Sequence, residues 1–334
     1  MLEVKSEDSA SLGFSYGEKC RERILSTIGF YGGIFNKTEE EIFARATHFK
    51  QMIAKFDQEY CSEIEGIARG AQVDPLWIYA LNARSEILDA FYPECSAVFL
   101  KNSGILGQNW DWSQRLENLA VLLRITKGNG HRILTVTEPG IIGKIGLNSK
   151  GVGVCLNFVN YSKPATGVPI HILLRSVLDS SSVEEAATKI RKYGFSTNGN
   201  ILIADKRGDY VNFELSSDHL DEIRPAEAVY HHTNHYLGSN PNALPEELQS
   251  SFSRYKQISR FIAENAGNLK TVDDLKTILL DQQNPELPIC RKYIENPFTE
   301  TLGTVCSIVM NLKSAEMNIS LGNPFEYGFK AFKV

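Results

Sequence analysis

One change of pattern constrains this chain more than any other feature. From about Ser9 to Ala90, apolar residues recur three and four apart between charges, as in Glu39-Glu40-Glu41-Ile42-Phe43-Ala44-Arg45 and Glu63-Ile64-Glu65-Gly66-Ile67-Ala68-Arg69-Gly70. That is the spacing of helices that bury one face. Asp74-Pro75 supplies a cap and a first-turn proline for a further helix through Ile78-Tyr79-Ala80 to Ala90. At Tyr92-Pro93-Glu94-Cys95 the pattern changes to short strand-like runs: Ser96 to Leu100, Ile105 to Gly107, Leu119 to Ile125, Ile133 to Thr137, Gly151 to Phe158, Asn200 to Ala204 and Tyr210 to Leu215. Turn residues separate several of them, at Lys101-Asn102-Ser103-Gly104, Asn148-Ser149-Lys150-Gly151 and Asp205-Lys206-Arg207-Gly208, so antiparallel hairpins dominate.

Helical spacing returns at Pro169 to Leu178, Ser182 to Tyr193, Ser253 to Ala263 and Thr271 to Leu280, and strands close the chain at Cys306 to Leu312 and Glu316 to Leu321. A helical front piece, then strands, paired helices and more strands, predicts an α+β fold with helices covering sheet faces. No internal repeat or low-complexity tract interrupts it. At 334 residues, one or two cores are possible.

Charge and termini exclude several roles. Forty acidic against 35 basic residues give a net charge of −5, well mixed and without a basic block, which argues against nucleic acid as a partner. The charged start Met1 to Asp8 is not a secretory signal, no apolar run reaches membrane-spanning length, and Phe332-Lys333-Val334 is not a peroxisomal address. Cys20, Cys61, Cys95, Cys155, Cys290 and Cys306 lack paired CxxC spacing. Reduced thiols and a cytoplasmic location are the expectation.

Three groups of residues could carry chemistry. Asn109, Trp110 and Asp111 sit in Gly107-Gln108-Asn109-Trp110-Asp111-Trp112-Ser113, read as a polar, aromatic loop directly after a short strand. The alternative is a turn in which Asn and Asp bond their own backbone. Tyr230-His231-His232-Thr233-Asn234-His235-Tyr236 holds three histidines. Adjacent positions of a strand face opposite sides and no familiar ligand spacing accompanies them, so no metal site is expected and ordinary hydrogen bonding is the simpler reading. Cys95 stands where the helical segment stops and the first strand starts, although a free cysteine is more often a small buried hydrophobe. A break before it would leave a thiol and a new α-amine at a strand tip.

Several stretches together carry a resemblance: Glu94-Cys95-Ser96, Gly107 to Asp111, Thr137-Glu138-Pro139-Gly140-Ile141-Ile142-Gly143-Lys144-Ile145-Gly146-Leu147-Asn148, Gly167-Val168-Pro169-Ile170-His171, His232-Thr233-Asn234-His235 and Cys290-Arg291-Lys292-Tyr293. In order and over nearly the whole chain, the sequence resembles the acyl-CoA:6-aminopenicillanic acid acyltransferase (isopenicillin N acyltransferase) family. The resemblance implies the N-terminal-nucleophile hydrolase fold, a four-layer αββα sandwich. It also implies a propeptide over residues 1–94, retained as a subunit, and a catalytic part over 95–334, together forming one composite domain.

By the same resemblance Cys95 matches the nucleophile, released by self-cleavage between Glu94 and Cys95. Asp111 matches a polar organiser and Asn234 an oxyanion donor, with Asn109, Trp110 and His235 as supporting or substrate-binding neighbours. No cofactor is implied. The substrate would be a small N-acyl compound, with acyl-CoA as a donor by resemblance alone. Physically, the freed α-amine has a reference pKa of about 7.7–8, so it can accept the proton of its own thiol without a histidine base.

Two positions depart from the pattern. Glu94 stands where glycine usually precedes the nucleophile, which bears on the rate of self-cleavage, and Thr301 stands where an arginine of the penicillin enzyme would fall. Two alternatives therefore stay open: an uncleaved pseudoenzyme or small-molecule binding protein of the same fold, and a metal hydrolase using His231, His232 or His235.

Overall fold

Strands Val152–Asn157 and Gly199–Asp205 are buried at every residue, so the sheet that contains them needs cover on both faces. The computed structural model describes residues 1–88, 94–159, 163–195, 197–239 and 249–334. In chain order its elements begin with β1 (Leu2–Ser6), α1 (Ser9–Ile34), α2 (Glu39–Phe56), α3 (Gln58–Ala71), α4 (Pro75–Asn82) and α5 (Arg84–Ile87). Next come β2 (Glu94–Leu100), β3 (Ile105–Trp112), β4 (Val121–Lys127), β5 (Arg132–Thr137), β6 (Ile145–Asn148), β7 (Val152–Asn157), α6 (Ile170–Leu178) and α7 (Val183–Tyr193). Then follow β8 (Gly199–Asp205), β9 (Tyr210–Leu215), β10 (Leu220–Ile223), β11 (Val229–His232), α8 (Gln249–Glu264) and α9 (Val272–Leu279). The chain closes with β12 (Ile294–Asn296), β13 (Glu300–Asn311), β14 (Glu316–Leu321), α10 (Pro324–Tyr327) and β15 (Lys330–Lys333).

One sheet runs β1-β4-β5-β6-β7-β8-β9-β10 and the other β11-β2-β3-β13-β14-β15, with β12 beside β13. The pairings are antiparallel except β1 with β4. The sheets meet through β2, β3 and β7; α6 and α7 lie on the first sheet, and α8 and α9 on the second. Polar pins cross the interface: the Gln108 amide exchanges hydrogen bonds with the Leu156 backbone, and Asn157 Nδ2 donates to His232 O at 3.3 Å. The result is a four-layer αββα sandwich, the architecture that the resemblance implies.

The front segment is built into this sandwich. β1 is an edge strand of the first sheet, and α1 and α3 touch backbone to backbone. A Cβ at Gly13 would lie 1.9 Å from Glu63 O, so only glycine permits the approach. Glu63 of α3 takes a bidentate hydrogen bond from the buried Arg175 of α6 at 2.7 and 2.9 Å. Asn82 donates to Gly140 O and accepts from Ile142 N at 2.9 and 3.0 Å. One hydrophobic core holds Ile24, Phe49, Ile64 and Leu81 of the front together with residues of both sheets.

Two expectations change. The charged start hides a strand, because Leu2 and Val4 alternate with polar residues along an edge. Gln108 to Trp112 are the second half of β3, not a loop after it. Asn and Asp disfavour strands, but here the Asn109 amide finds buried acceptors: its Nδ2 donates to Leu279 O and Ile289 O at 2.6 and 3.0 Å. The helix end at Ala90 and the residues Tyr92-Pro93 lie outside the described residues.

Candidate active site

Cys95 is the second residue of β2, between β3 and β11. The register with β3 pairs Glu94 with Asp111 and Cys95 with Trp110, so Cys95 and Trp110 share the face towards the first sheet, and Glu94 and Asp111 the opposite face. On the other side β11 pairs His232 with Ala97 and then ends. Asn234 lies where the next partner of Cys95 would come, and its side chain takes over the ladder: Cys95 N donates to Asn234 Oδ1 at 2.8 Å. The strand tip is thus held by a side chain rather than by a continuing strand.

Arg254 of α8 completes the clamp. It is fully buried and donates to Cys95 O at 2.6 Å, Ser96 Oγ at 2.9 Å and Asn234 Oδ1 at 2.9 Å. Asn234 Nδ2 donates to Phe158 O at 2.9 Å, and Asn234 N to Ser251 Oγ at 2.7 Å. His235 also uses Ser251 Oγ, from Nδ1 at 2.8 Å, and packs its ring on Phe252. His235 therefore braces Asn234 through a shared serine, and burial pushes its pKa down to about 4.

The electrostatics set the thiol and Asp111 apart from ordinary groups. Burial, with Asp111 adding to it, pushes the Cys95 thiol up to about 11. Burial raises Asp111 to about 7, against the opposing pull of Arg254, with the Glu94 carboxylate opposite adding to the rise. Neither Asp111 oxygen accepts a hydrogen bond of good geometry among the described residues. Such a group is costly to keep charged, and it lies across the ladder from Glu94, the residue before Cys95.

Cys95, Trp110, Trp112, Lys144, Leu156 and Phe158 line a cavity of about 20 Å³, room for roughly one water molecule, and Arg84 and Ser85 of the front segment close it. Lys144 Nζ sits 3.0 Å from the centre of the Trp110 ring and 3.2 Å from Glu138 Oε2. Glu138 also pairs with Arg84 at 2.9 Å and accepts from Tyr31 Oη at 2.8 Å. Burial pulls Lys144 down to about 7, although Glu138 opposes it.

Glu94, the first departure, makes an ion pair of 2.6 Å between its Oε2 and Arg291 Nη2. Thr301, the second, accepts from Gln114 N at 3.2 Å and takes no part in the clamp on Cys95. Asn109 belongs to the α9 side of β3 and positions the strand, not the thiol. The histidines have separate surroundings: His231 reaches Ser259 Oγ at 2.9 Å, and His232 lies between Glu214 Oε1 and Thr233 O, each at 2.8 Å. Among the described residues, no group of three or more His, Cys, Asp or Glu is arranged to hold a metal ion. Arg254 and Ser251 escaped the sequence reading. Their signal was present, since with Ile258 they occupy the buried stripe of α8, where an arginine needs a partner inside the protein.

The profile of the family described as "Acyl-coenzyme A:6-aminopenicillanic acid acyl-transferase" matches residues 98–326. The chain belongs to that family. With the αββα layers, this makes it a member of an acyltransferase family built on a four-layer sandwich. A relative from Emericella nidulans, acyl-coenzyme A:6-aminopenicillanic-acid-acyltransferase 40 kDa form, is 28% identical over 338 residues, covering 97% of this chain and 93% of the relative. Among solved structures, the Caenorhabditis elegans N-acylethanolamine-hydrolyzing acid amidase ortholog is 14% identical with a TM-score of 0.49, over 72% of this chain and 100% of that one. Penicillin V acylase from Agrobacterium tumefaciens is 12% identical with a TM-score of 0.48, over 72% of this chain and 86% of that one.

Proposed function

We propose that this family member cleaves its own Glu94–Cys95 bond and then works as a cysteine amidohydrolase or acyltransferase on a small N-acyl compound, with acyl-CoA thioesters among its donors. One observation carries the reading: Cys95 N is held at 2.8 Å by Asn234 Oδ1, a side-chain contact that survives when the amide nitrogen becomes an amine. In processing, Cys95 Sγ bonds to the Glu94 carbonyl carbon, the C–N bond breaks, and the thiol proton ends on the Cys95 nitrogen. Water then hydrolyses the thioester, leaving a Glu94 carboxylate and a free thiol.

In turnover the neutral α-amine takes the thiol proton and the thiolate attacks the substrate carbonyl. Asp111 balances the ammonium, and Arg254 and Asn234 fix the strand tip. Asn234 Nδ2 exchanges Phe158 O for the oxyanion, a donor of the kind worth roughly 10²–10³ in kcat. The acyl group on Cys95 passes to water or to an amine. Residues 1–94 stay bound as a subunit through β1, the Glu63–Arg175 pair and the Arg84–Glu138 pair, and the 95–334 part carries the chemistry. Among the described residues no helix is long and apolar enough to cross a membrane.

The small cavity and the raised thiol favour a second reading, an uncut binding protein. Intact mass under denaturing conditions separates the two. Wild type should give two fragments meeting at Glu94/Cys95 and Cys95→Ala a single chain, whereas a single chain in both would support the second reading.

A further inference from the structure

Glu94 supplies the first acyl group that Cys95 Sγ carries in the processing step, and every later acyl group is bonded to that same sulphur. The shift from nitrogen to sulphur passes through a five-membered ring, so the acyl carbon stays within bonding reach of both atoms. The surroundings of the Glu94 side chain are therefore those of an acyl chain at the nucleophile. They are not neutral. Its carboxylate meets the Arg291 guanidinium at 2.6 Å in a charge contact that lacks hydrogen-bond geometry, with the two side chains only 14% and 7% exposed.

Arg291 has little else to balance its charge. Its Nη2 reaches the neutral Ser250 Oγ at 3.2 Å, and its Nε is buried without an acceptor among the described residues. The neighbouring cation, Arg254, is taken up by Cys95 O, Ser96 Oγ and Asn234 Oδ1. Asp111 shares the face but is itself costly to ionise. Hydrolysis of the processing thioester cuts the covalent tie that holds the Glu94 carboxylate on this guanidinium, which is only 7% exposed and needs an anionic partner.

We propose that Arg291 is a carboxylate receptor of the processed enzyme. The acyl groups it selects are half-acyl chains of dicarboxylic acids of glutaryl length, the carbon chain that runs from the Glu94 carbonyl to its carboxylate. Sγ bonds to the carbonyl carbon of such an amide, the C–N bond breaks, and the amine leaves with the thiol proton. Water then releases the dicarboxylic acid. The carboxylate stays on Arg291 throughout and lies on the acyl side of the cleaved bond.

The inference rests on the Cys95 reading, and the test separates the two. Processed wild type is assayed with glutaryl-p-nitroanilide, butyryl-p-nitroanilide and the butyryl amide of 5-amino-2-nitrobenzoate, which carries its carboxylate on the leaving side. The glutaryl probe should exceed the butyryl probe in kcat/KM by about tenfold or more, the effect of a charge-assisted pair in a buried site. In Arg291→Gln that ratio should fall to about one, and Arg291→Lys should restore part of it. Glutarate should also protect processed wild type against thermal unfolding more than butyrate does, a readout that needs neither turnover nor a variant. Equal protection, a ratio near one in wild type, a ratio unmoved in Arg291→Gln, or preference for the leaving-side carboxylate overturns the assignment. A chain that never cuts at Glu94/Cys95 refutes the Cys95 reading, and this inference with it.

Discussion

Replacing Asp111 by Asn should make the protein more stable and less active at once. A carboxyl group with a raised folded pKa binds its proton more tightly in the folded chain, so stability falls as pH climbs from the unfolded value of 3.8 towards the folded value of about 7, and then levels off. At 1.36 kcal/mol per pKa unit, the ionised group costs folding about 4 kcal/mol at pH 8 and about 2 kcal/mol at pH 5. The comparison belongs in a Cys95→Ala background, where the chain stays whole. Urea unfolding of Cys95→Ala with and without Asp111→Asn should show a gain for Asn that grows by about 2–3 kcal/mol between pH 5 and pH 8. In the Cys95 background the same substitution should lower kcat at least about a hundredfold, because the α-ammonium loses its counter-charge. A gain independent of pH, or a loss of stability at pH 8, would refute the reasoning that Asp111 is a buried charge kept for chemistry.

Other predictions follow from the same geometry. Glu138→Gln removes the carboxylate that pairs with both Arg84 and Lys144 and should destabilise the protein by about 3–5 kcal/mol in urea unfolding, whereas a change under 1 kcal/mol would contradict the network described. The thiol at about 11 predicts that self-cleavage of unprocessed chain accelerates with pH, roughly tenfold per unit between pH 6 and pH 9, followed by gel densitometry; a flat profile would mean that thiolate supply does not limit processing. Asn234→Ala should lower kcat of processed enzyme by roughly 10²–10³ with a smaller effect on KM, measured with any amide the wild type turns over. Equal losses in binding and turnover would assign Asn234 to substrate binding instead.

The division of the chain was legible because periodicity is a local property: three-and-four spacing before Ala90 and alternation after Cys95 needed no tertiary information. The second half of β3 is hidden in the sequence because Asn109 and Asp111 look like turn residues until Leu279 O and Ile289 O are brought to the Asn109 amide from far along the chain. The same holds for Asn234. Its sequence gives one polar side chain among histidines and a threonine, and only the end of β11 beside Cys95 turns that side chain into a substitute for a backbone partner. The Arg291–Glu94 pair joins residues nearly two hundred positions apart through the bend that brings Cys290-Arg291 back to Thr304 of β13. No spacing rule could have found it. Arg254 is the intermediate case, visible as a cation on an apolar helix stripe but without a target until α8 is laid on β2.

The central claim is that Cys95, with its own amine freed, carries the acyl group. Incubating processed enzyme with an acyl-CoA or other acyl thioester, quenching in acid and mapping the adduct by mass spectrometry tests it directly. The account predicts one acyl mass on the fragment that begins at Cys95, located on that residue and absent when its thiol is alkylated beforehand. An acyl group found on another cysteine, or turnover that persists with Cys95 alkylated, would contradict it.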